Sequence, residues 1–492
     1  MNGKTQHLPM PTKAQPDSIT TALSAIVGDK HVLLVASHQP VSDLMPYLSE
    51  SRGRQLGKAF AIVFPASTQQ VAELVRLCRQ HKLPIVAQGG NTGRCLGAQT
   101  QDEYAIILSL KRLNRLRHLD SDNMTICVDA GCILQDIQQA AKRANLFFPL
   151  SLGAQGSCQI GGNLATNAGG INVVRYGNAR DLTLGIEVVT ANGEIMNLLS
   201  GLRKDNTGYD IKNLFIGSEG TLGIITAATL KLFPPETHDQ QAFIAIDSID
   251  DAVACLRLVK NRFGEKLSLF ELMPNIAINF MEKHSEVRCP IAVTHPWYAW
   301  YKIADTDSSS HIADNHLDFL SSLMDEGLII DATISQNEAM KQLFWRIRET
   351  ISAVQKNAGA VLKFDVSVPI SAIAILINKG SKAADNICRG IRPYPYGHVG
   401  DGNIHFNLAK PDGMDDGEFL KTYRAPLHRA IHDITHELGG SFSAEHGIGS
   451  QKITDMQIYK DPVALKLMQR IKVSFDPDNI MNPGKVIMMD ST

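Results

Sequence analysis

The stretch Ile160-Gly161-Gly162-Asn163-Leu164-Ala165-Thr166-Asn167-Ala168-Gly169-Gly170 interleaves glycine pairs with asparagine and threonine. A second tract, Gly89-Gly90-Asn91-Thr92-Gly93, comes directly after the apolar run 83–87. Glycine lets backbone N–H groups come close to phosphate oxygens. Asn91, Thr92, Asn163, Thr166 and Asn167 add side-chain donors, and Gly153 opens the second tract. One such loop is often only a turn. Two long tracts together read as a cradle for a nucleotide pyrophosphate. The G-x-G-x-x-G fingerprint is absent, since Gly400-Asp401-Gly402 and Gly447-Ile448-Gly449 both lack the third glycine. That argues against a doubly wound NAD site.

Working outward, 59–64 reads as a strand broken by Pro65-Ala66, and Ser67 with Gln70 forms a capping box for a helix. Val71, Leu74, Val75 and Cys78 give that helix its apolar stripe, and the strand 83–87 completes a βαβ unit. Strands are expected at 105–108, 125–129, 185–190 and 223–232, with a helix at 133–144. Pro234-Pro235 is the strongest boundary signal. Beyond it come a strand at 243–246, a helix at 249–263, a polar loop at 306–316, and a long helix at 337–357 stopped by Gly359. The expected division is a helical lead-in at 1–55, a cofactor domain at 56–235, a cap at 236–440 and a C-terminal segment at 441–492 that returns to the cofactor.

The chain has 492 residues, 44% apolar and 20% charged, with formal net charge −2. That balance suits a multidomain globular protein and gives no nucleic-acid footprint. Eight cysteines occur without a C-x-x-C pair, as expected of reduced thiols. The polar start lacks a secretory h-region, and no apolar run reaches membrane-span length. The expected compartment is the cytoplasm, or the mitochondrial matrix in a eukaryote. Nothing here opposes a homodimer.

The chemistry lies toward the end of the chain. In Tyr396-Gly397-His398-Val399-Gly400-Asp401-Gly402-Asn403-Ile404-His405-Phe406-Asn407, Asp401-Gly402 is a hairpin signal. A two-residue turn there sets His398 opposite His405, with Cα atoms about 5.5 Å apart, and Asn407 on the same face. Two facing imidazoles are either ordinary strand residues or two corners of a metal site. Glu445-His446, in a glycine-flexed loop, offers a third ligand and a base. Arg348 and Ser352 share a helix face. In 363–368, Lys363, Asp365 and Ser367 alternate with Phe364, Val366 and Val368.

These motifs resemble the vanillyl-alcohol oxidase/p-cresol methylhydroxylase flavoproteins. Pro84–Gly93 resembles the family's first pyrophosphate loop, and Ile160–Gly170 with Arg175-Tyr176-Gly177 its second. Gly217-Ser218-Glu219-Gly220-Thr221-Leu222-Gly223-Ile224-Ile225-Thr226 resembles the strand closing the flavin pocket, and Phe475–Lys485 the C-terminal return. The resemblance implies an α+β fold: a two-subdomain FAD-binding domain plus an α/β cap with an antiparallel sheet. It implies FAD held by Gly89, Gly90, Asn91, Thr92, Gly93, Gly153, Gly161, Gly162, Asn163, Thr166, Asn167, Ile225 and Asn482. The first loop lacks the histidine of covalent members, so dissociable FAD is expected.

Within that family the 2-hydroxyacid branch (D-lactate, glycolate and D-2-hydroxyglutarate dehydrogenases) is nearest in its motifs. The run Arg203–Asp210 is most similar to the D-2-hydroxyglutarate group. Carried over by position, Arg348, Ser352 and Lys363 bind substrate carboxylates. His398, His405 and Glu445 hold a divalent metal, with zinc the expected ion. Asn407 and His446 act at the reacting end. The implied activity is oxidation of a D-2-hydroxy acid, foremost D-2-hydroxyglutarate to 2-oxoglutarate. The implied electron acceptor is electron-transferring flavoprotein or a quinone. D-lactate or glycolate oxidation on the same scaffold stays open, as does a non-catalytic flavin-binding role. Val399 and Ile404 stand where leucine is common in the family.

Overall fold

In the computed structural model, residues 16–35, 41–50, 55–307 and 309–489 are described. The polar start and parts of the expected lead-in at 1–55 lie outside them. Within that lead-in, helix Pro16–Val27 buries Ile19, Leu23 and Val27.

Two sheets carry the glycine tracts. The first runs in the order Val32–Leu34, Ala61–Val63, Ile106–Ser109, Ile85–Gln88. Its last three strands are parallel and its first is antiparallel. The expected βαβ strands are therefore not neighbours, because Ile106–Ser109 slots between them. That strand is buried along its whole length, and strands buried on both faces belong in the centre of a parallel sheet. Between the outer pair, helix Thr68–Gln80 starts as expected. Ser67 Oγ accepts the N–H of Gln70 at 3.2 Å, and Gln70 Oε1 accepts the N–H of Ala66 at 2.7 Å. Its stripe of Val71, Leu74, Val75 and Cys78 is fully buried.

The second sheet is antiparallel: Leu116–Asp120, Thr125–Asp129, Gly223–Lys231, Thr183–Thr190, Ile195–Leu198. One hydrophobic core joins the two sheets, with Val75, Ile106, Val128, Ile186 and Leu230 among its members. The C-terminal segment closes onto it. Ile85 N–H donates to Ile480 O at 2.7 Å, and Asn482 N–H donates to Ile85 O at 2.8 Å.

The remaining chain builds a four-stranded antiparallel sheet in the order Leu267–Pro274, Trp297–Asp305, His238–Ile246, Asp331–Ile334. Alternation along His238–Ile246 sends Ile244 and Ile246 to one side and Phe243 and Ala245 to the other. Helices Ile249–Phe263 and Ile312–Asp325 cover the first face, and Asn275–His284 and Glu338–Val354 the second. The loop expected at 306–316 is shorter than the sequence suggests. Helix Ile312–Asp325 begins inside it, because Ile312, His316, Leu320 and Leu323 form a buried stripe that the polar composition masks.

A small antiparallel sheet completes the cap: Asn403–Ala409 at its centre, with Arg392–Tyr396, Val361–Leu362 and Val366–Ser367 beside it. Reciprocal hydrogen bonds between Leu272 and Gly397, 2.9 and 3.0 Å, join it to the larger sheet. The strand expected over 363–368 is interrupted at Lys363–Asp365. Asp365 leaves the ladder to bind another loop, which brings the chemistry together.

Candidate active site

Two cavities, about 220 and 130 Å³, adjoin inside the protein. Thr92, Gly93, Arg94, Asn163, Thr166 and His446 line both. The smaller is walled by the glycine tracts and by Ile224 and Ile225. Its glycines divide by what a side chain would meet there. A Cβ at Gly90 would lie 2.1 Å from Ser157 O, and one at Gly161 would lie 2.7 Å from Ala130 Cβ. Those two let chain segments touch. At Gly93 and Gly162 a Cβ would meet nothing within 4 Å. Several buried acceptors around this cavity lack partners: Gln88 Oε1, Gln159 Oε1 and Asn163 Oδ1. Unpaired buried acceptors are costly, and a cofactor carrying donors fits them. Cys95 and Cys158, neither of them in a disulfide, also line this space.

Of the expected cofactor residues, Gly89, Gly90, Asn91, Thr92, Gly93, Gly161, Gly162, Asn163, Thr166 and Ile225 line this cavity. Three do not. Gly153 lies on the larger cavity. Asn167 Oδ1 accepts the N–H of Arg180 at 2.9 Å, so that side chain braces its own loop. Asn482 Nδ2 donates to Gly97 O at 2.9 Å and Glu219 O at 2.7 Å, which stitches the C-terminal return to the cavity wall. Glu219, missed in the sequence, is a further stitch: its carboxylate accepts the N–H groups of Ile448 and Gly449 at 2.7 and 2.8 Å.

The larger cavity gathers Arg348, Ser352, Lys363, His398, His405, Asn407, Glu445 and His446. They come from the long helix, the interrupted strand, the small sheet and the loop after Gly440. The histidine hairpin differs from the expected one. Tyr396, not His398, pairs with His405, and Tyr394 pairs with Asn407. Residues Val399–Asp401 form a 3-10 turn, so the connection is longer than Asp401-Gly402. Gly402 takes φ +86°, and a Cβ there would lie 2.3 Å from Val368 O, so glycine closes this wider loop. The rings of His398 and His405 still converge, with centroids 5.6 Å apart.

His405 Nε2 lies 3.8 Å from Glu445 Oε1, and His446 Nε2 lies 3.7 Å from the same oxygen. Ligand atoms of Asp365, His405, Glu445 and His446 all fall within 4.8 Å of one another. His398 stands outside that group. Its Nδ1 bonds to Glu271, and Arg348 Nη2 lies 3.1 Å from its Nε2. Burial lowers the imidazole, but the Glu271 carboxylate holds a ring proton at Nδ1 and raises it to about 9, so a metal would have to displace both a proton and Arg348 from Nε2. A carboxylate behind Nδ1 is how metal-binding imidazoles are commonly oriented. The donor set of two imidazoles and a carboxylate thus suits a divalent ion of zinc's class, provided Arg348 releases His398.

Glu271 and Asp365 are the two residues the sequence underplays. Glu271 is 1% exposed and holds Arg348 Nε at 3.1 Å. Burial pushes its carboxyl up, but the His398 and Arg348 charges outweigh that and hold it down at about 2. A lone carboxylate within the apolar run Leu269-Phe270-Glu271-Leu272 was its only signal. Asp365 Oδ2 accepts the N–H groups of Glu445 and His446 at 3.0 and 2.8 Å. It is 2% exposed; burial raises its carboxyl, and the His446 and Lys452 charges more than reverse the effect. Burial, with the Arg348 and His398 charges, depresses His405 well below the ordinary imidazole range, leaving it neutral. Burial raises Glu445. Asn407 Nδ2 donates to Gln355 Oε1 at 2.9 Å, while its Oδ1 is buried without a partner. Among the described residues, no helix is long and apolar enough to cross a membrane.

Comparison with known proteins bears on this arrangement. Residues 59–199 match the family described as FAD binding domain, and 236–486 match FAD linked oxidases, C-terminal domain. A Bos taurus protein named D-2-hydroxyglutarate dehydrogenase, mitochondrial, is 36% identical over 431 residues, 88% of this chain and 77% of its own. A Xanthomonas citri pv. viticola protein named D-2-hydroxyglutarate dehydrogenase is 34% identical over 445 residues, 90% of this chain and 93% of its own. The crystal structure of p-cresol methylhydroxylase with substrate bound superposes at TM-score 0.74 and 18% identity, covering 97% of this chain and 98% of that one. That likeness carries the α+β fold, and the sequence matches carry the family. The chain is a member of the FAD-linked oxidases, a flavoenzyme of the dehydrogenase group that contains the D-2-hydroxyglutarate dehydrogenases.

Proposed function

We propose that this chain oxidises a D-2-hydroxy acid, D-2-hydroxyglutarate first among them, to the 2-oxo acid. The observation that carries the reading is the junction of the two cavities at Asn163, Thr166 and His446. A cofactor in one cavity and a substrate in the other would meet beside a histidine. Bound there, FAD would supply a hydride acceptor at N5, and a divalent ion on His398, His405 and Glu445, zinc in our reading, would supply a Lewis acid.

The chain's own residues do the rest. His446 takes the hydroxyl proton as C2 loses hydride. Asp365 orients its imidazole, as a carboxylate does behind a general base. Asn407 Oδ1 offers an acceptor to the hydroxyl. Arg348, Ser352 and Lys363 bind carboxylates, Arg348 in the bidentate manner its planar fork allows. A distal carboxylate desolvated without such partners would be costly. We further propose that the flavin is not covalently held and that electrons leave to electron-transferring flavoprotein or a quinone. The cytoplasm, or the matrix in a eukaryote, is the proposed compartment. The test is an anaerobic screen of D- and L-2-hydroxy acids that follows the loss of flavin absorbance. Rapid bleaching by D-2-hydroxyglutarate supports the proposal. Bleaching only by D-lactate or glycolate, or only by L acids, would replace it.

A further inference from the structure

A second histidine cluster lies outside both cavities. His428 and His432 are four residues apart on helix Asp416–Glu437, and Asp455 belongs to the next helix, Ile453–Tyr459. Both imidazoles turn Nδ1 toward the same oxygen. His432 Nδ1 is 3.1 Å from Asp455 Oδ1, and His428 Nδ1 is 3.7 Å from it. The two rings lie 4.1 Å apart at their centroids. All three ligand atoms fall within 4.8 Å of one another. We propose that His428, His432 and Asp455 form a second divalent transition-metal site, separate from the substrate cavity, that clips these two helices together.

The geometry suits an ion better than a hydrogen-bond network. Bonds of ~2.0–2.1 Å in tetrahedral zinc sites put neighbouring ligand atoms about 3.3 Å apart. The two distances to Asp455 bracket that value. At 3.7 Å His428 is too far for a hydrogen bond, so the carboxylate alone does not explain its place. Histidines at i and i+4 present both rings on one helix face, a spacing that recurs in zinc sites. His432 is almost fully buried, whereas the His428 side chain is 41% exposed, which leaves a route for the ion and a water as fourth ligand. Aromatic rings of Phe364, Phe442 and Tyr459 pack around His432 and limit its freedom.

The clip would matter because the residues just before Asp455 brace the catalytic loop. Lys452, which precedes that helix, donates to Phe442 O at 3.2 Å and Ser443 Oγ at 2.9 Å. Ser443 Oγ in turn donates to Gly447 O at 2.6 Å. These bonds fix the base of the loop that carries Glu445 and His446. An ion at the clip would tie that base to helix Asp416–Glu437.

The FAD-loaded enzyme can be stripped with chelator, refilled with Zn²⁺ or Co²⁺ alone, desalted and assayed for metal per flavin. His428→Ala and Asp455→Asn should each lose about one metal equivalent while keeping their flavin, and with Co²⁺ should lose a visible absorption band of a tetrahedral ion. His405→Ala should retain that equivalent. Metal content unchanged in His428→Ala, with flavin content intact, would overturn the proposal. So would a wild-type equivalent removed entirely by His405→Ala. His428→Ala decides the matter should Asp455→Asn fail to fold, because the His428 side chain is 41% exposed whereas Asp455 is buried.

Discussion

The carboxylate of Asp365 stands 3.4 Å from Nδ1 of His446 and accepts the backbone N–H of the same residue at 2.8 Å. One side chain thus anchors the backbone of the proposed base and sets a carboxylate beside its ring. Asp365→Asn should lower the rate of anaerobic flavin reduction about 10²-fold or more, since general-base help is worth ~10²–10⁴-fold. Flavin content should be unchanged, because the bonds of Asp365 run to the loop of Glu445 and His446 rather than to the glycine tracts. A stopped-flow rate equal to wild type would remove the orienting role of Asp365 from the mechanism.

The glycine cradle predicts a separation between binding and folding. Gly162 faces open cavity, whereas Gly90 lies against Ser157 O. Gly162→Val should therefore fold normally and bind FAD weakly, by about tenfold or more in Kd. Gly90→Ala should fail to fold or should lose substantial Tm. The flavin of the wild-type protein should stay in the supernatant after acid precipitation. Flavin that stayed with the pellet would point to Cys95 or Cys158, the thiols on the cavity wall, as the anchor.

Much of this is legible in the sequence, and the misses share a cause. The glycine tracts announce a cofactor because backbone approach is a local demand, read directly from composition. The eight residues of the larger cavity are also legible, but only as types at family positions. Their geometry is not. Local rules misjudge the turn between His398 and His405 because Gly397 is drawn into pairing with Leu272 on another sheet. They place Asp365 in a regular strand because its partners lie some eighty residues on, at Glu445 and His446. Glu271 is hidden for the same reason, its partners Arg348 and His398 being distant in sequence. Buried charge is made tolerable by tertiary pairing, and single-sequence periodicity carries no record of pairing at long range.

Metal removal should abolish turnover and leave the flavin bound, since the proposed ligands lie on the larger cavity. His398→Ala and His405→Ala should each mimic the chelator. Glu271→Gln is the subtler variant. It keeps a hydrogen-bond partner for His398 Nδ1 but loses the charge, and outer-shell changes of this kind cost ~10–100-fold in metal affinity or activity. Metal content by mass spectrometry should fall in parallel with rate. Full activity in metal-free enzyme would end the metal assignment.

His316 gives the cap an acid limb. It is fully buried, and its Nε2 shares a 2.8 Å hydrogen bond with Tyr301 Oη. Burial lowers its pKa from 6.5 to about 4. The unfolded chain takes up this proton first as pH falls. Stability is therefore complete above about 6.5 and drains away as pH drops toward about 4, by an amount on the order of 3 kcal/mol. His316→Gln should be less stable at pH 7 and should lose less on going to pH 4.5. Parallel urea curves for both proteins at the two pH values would refute this.

The substrate assignment rests on counting carboxylates against cations. Arg348 lines the cavity with its side chain 12% exposed; Glu271 holds its Nε, and His398 and Glu349 stand at its two terminal nitrogens. Ser352 lies one turn further along the same helix, and Lys363 faces the same space. D-lactate carries one carboxylate, which the metal and a single cation could satisfy. D-2-hydroxyglutarate carries a second, and it needs this additional group of donors. Truncating one charged partner in a desolvated pair costs roughly 2–5 kcal/mol. Arg348→Ala also removes one of the two partners of buried Glu271, leaving only His398, so its loss mixes binding with disturbance of the pocket. Ser352→Ala and Lys363→Ala leave Glu271 paired and are the cleaner variants. Each should raise KM for D-2-hydroxyglutarate far more than for D-lactate, with kcat for D-lactate little changed. Equal losses on both substrates would put these donors at the reacting end, and D-lactate would then be as good a candidate for the natural substrate as the diacid.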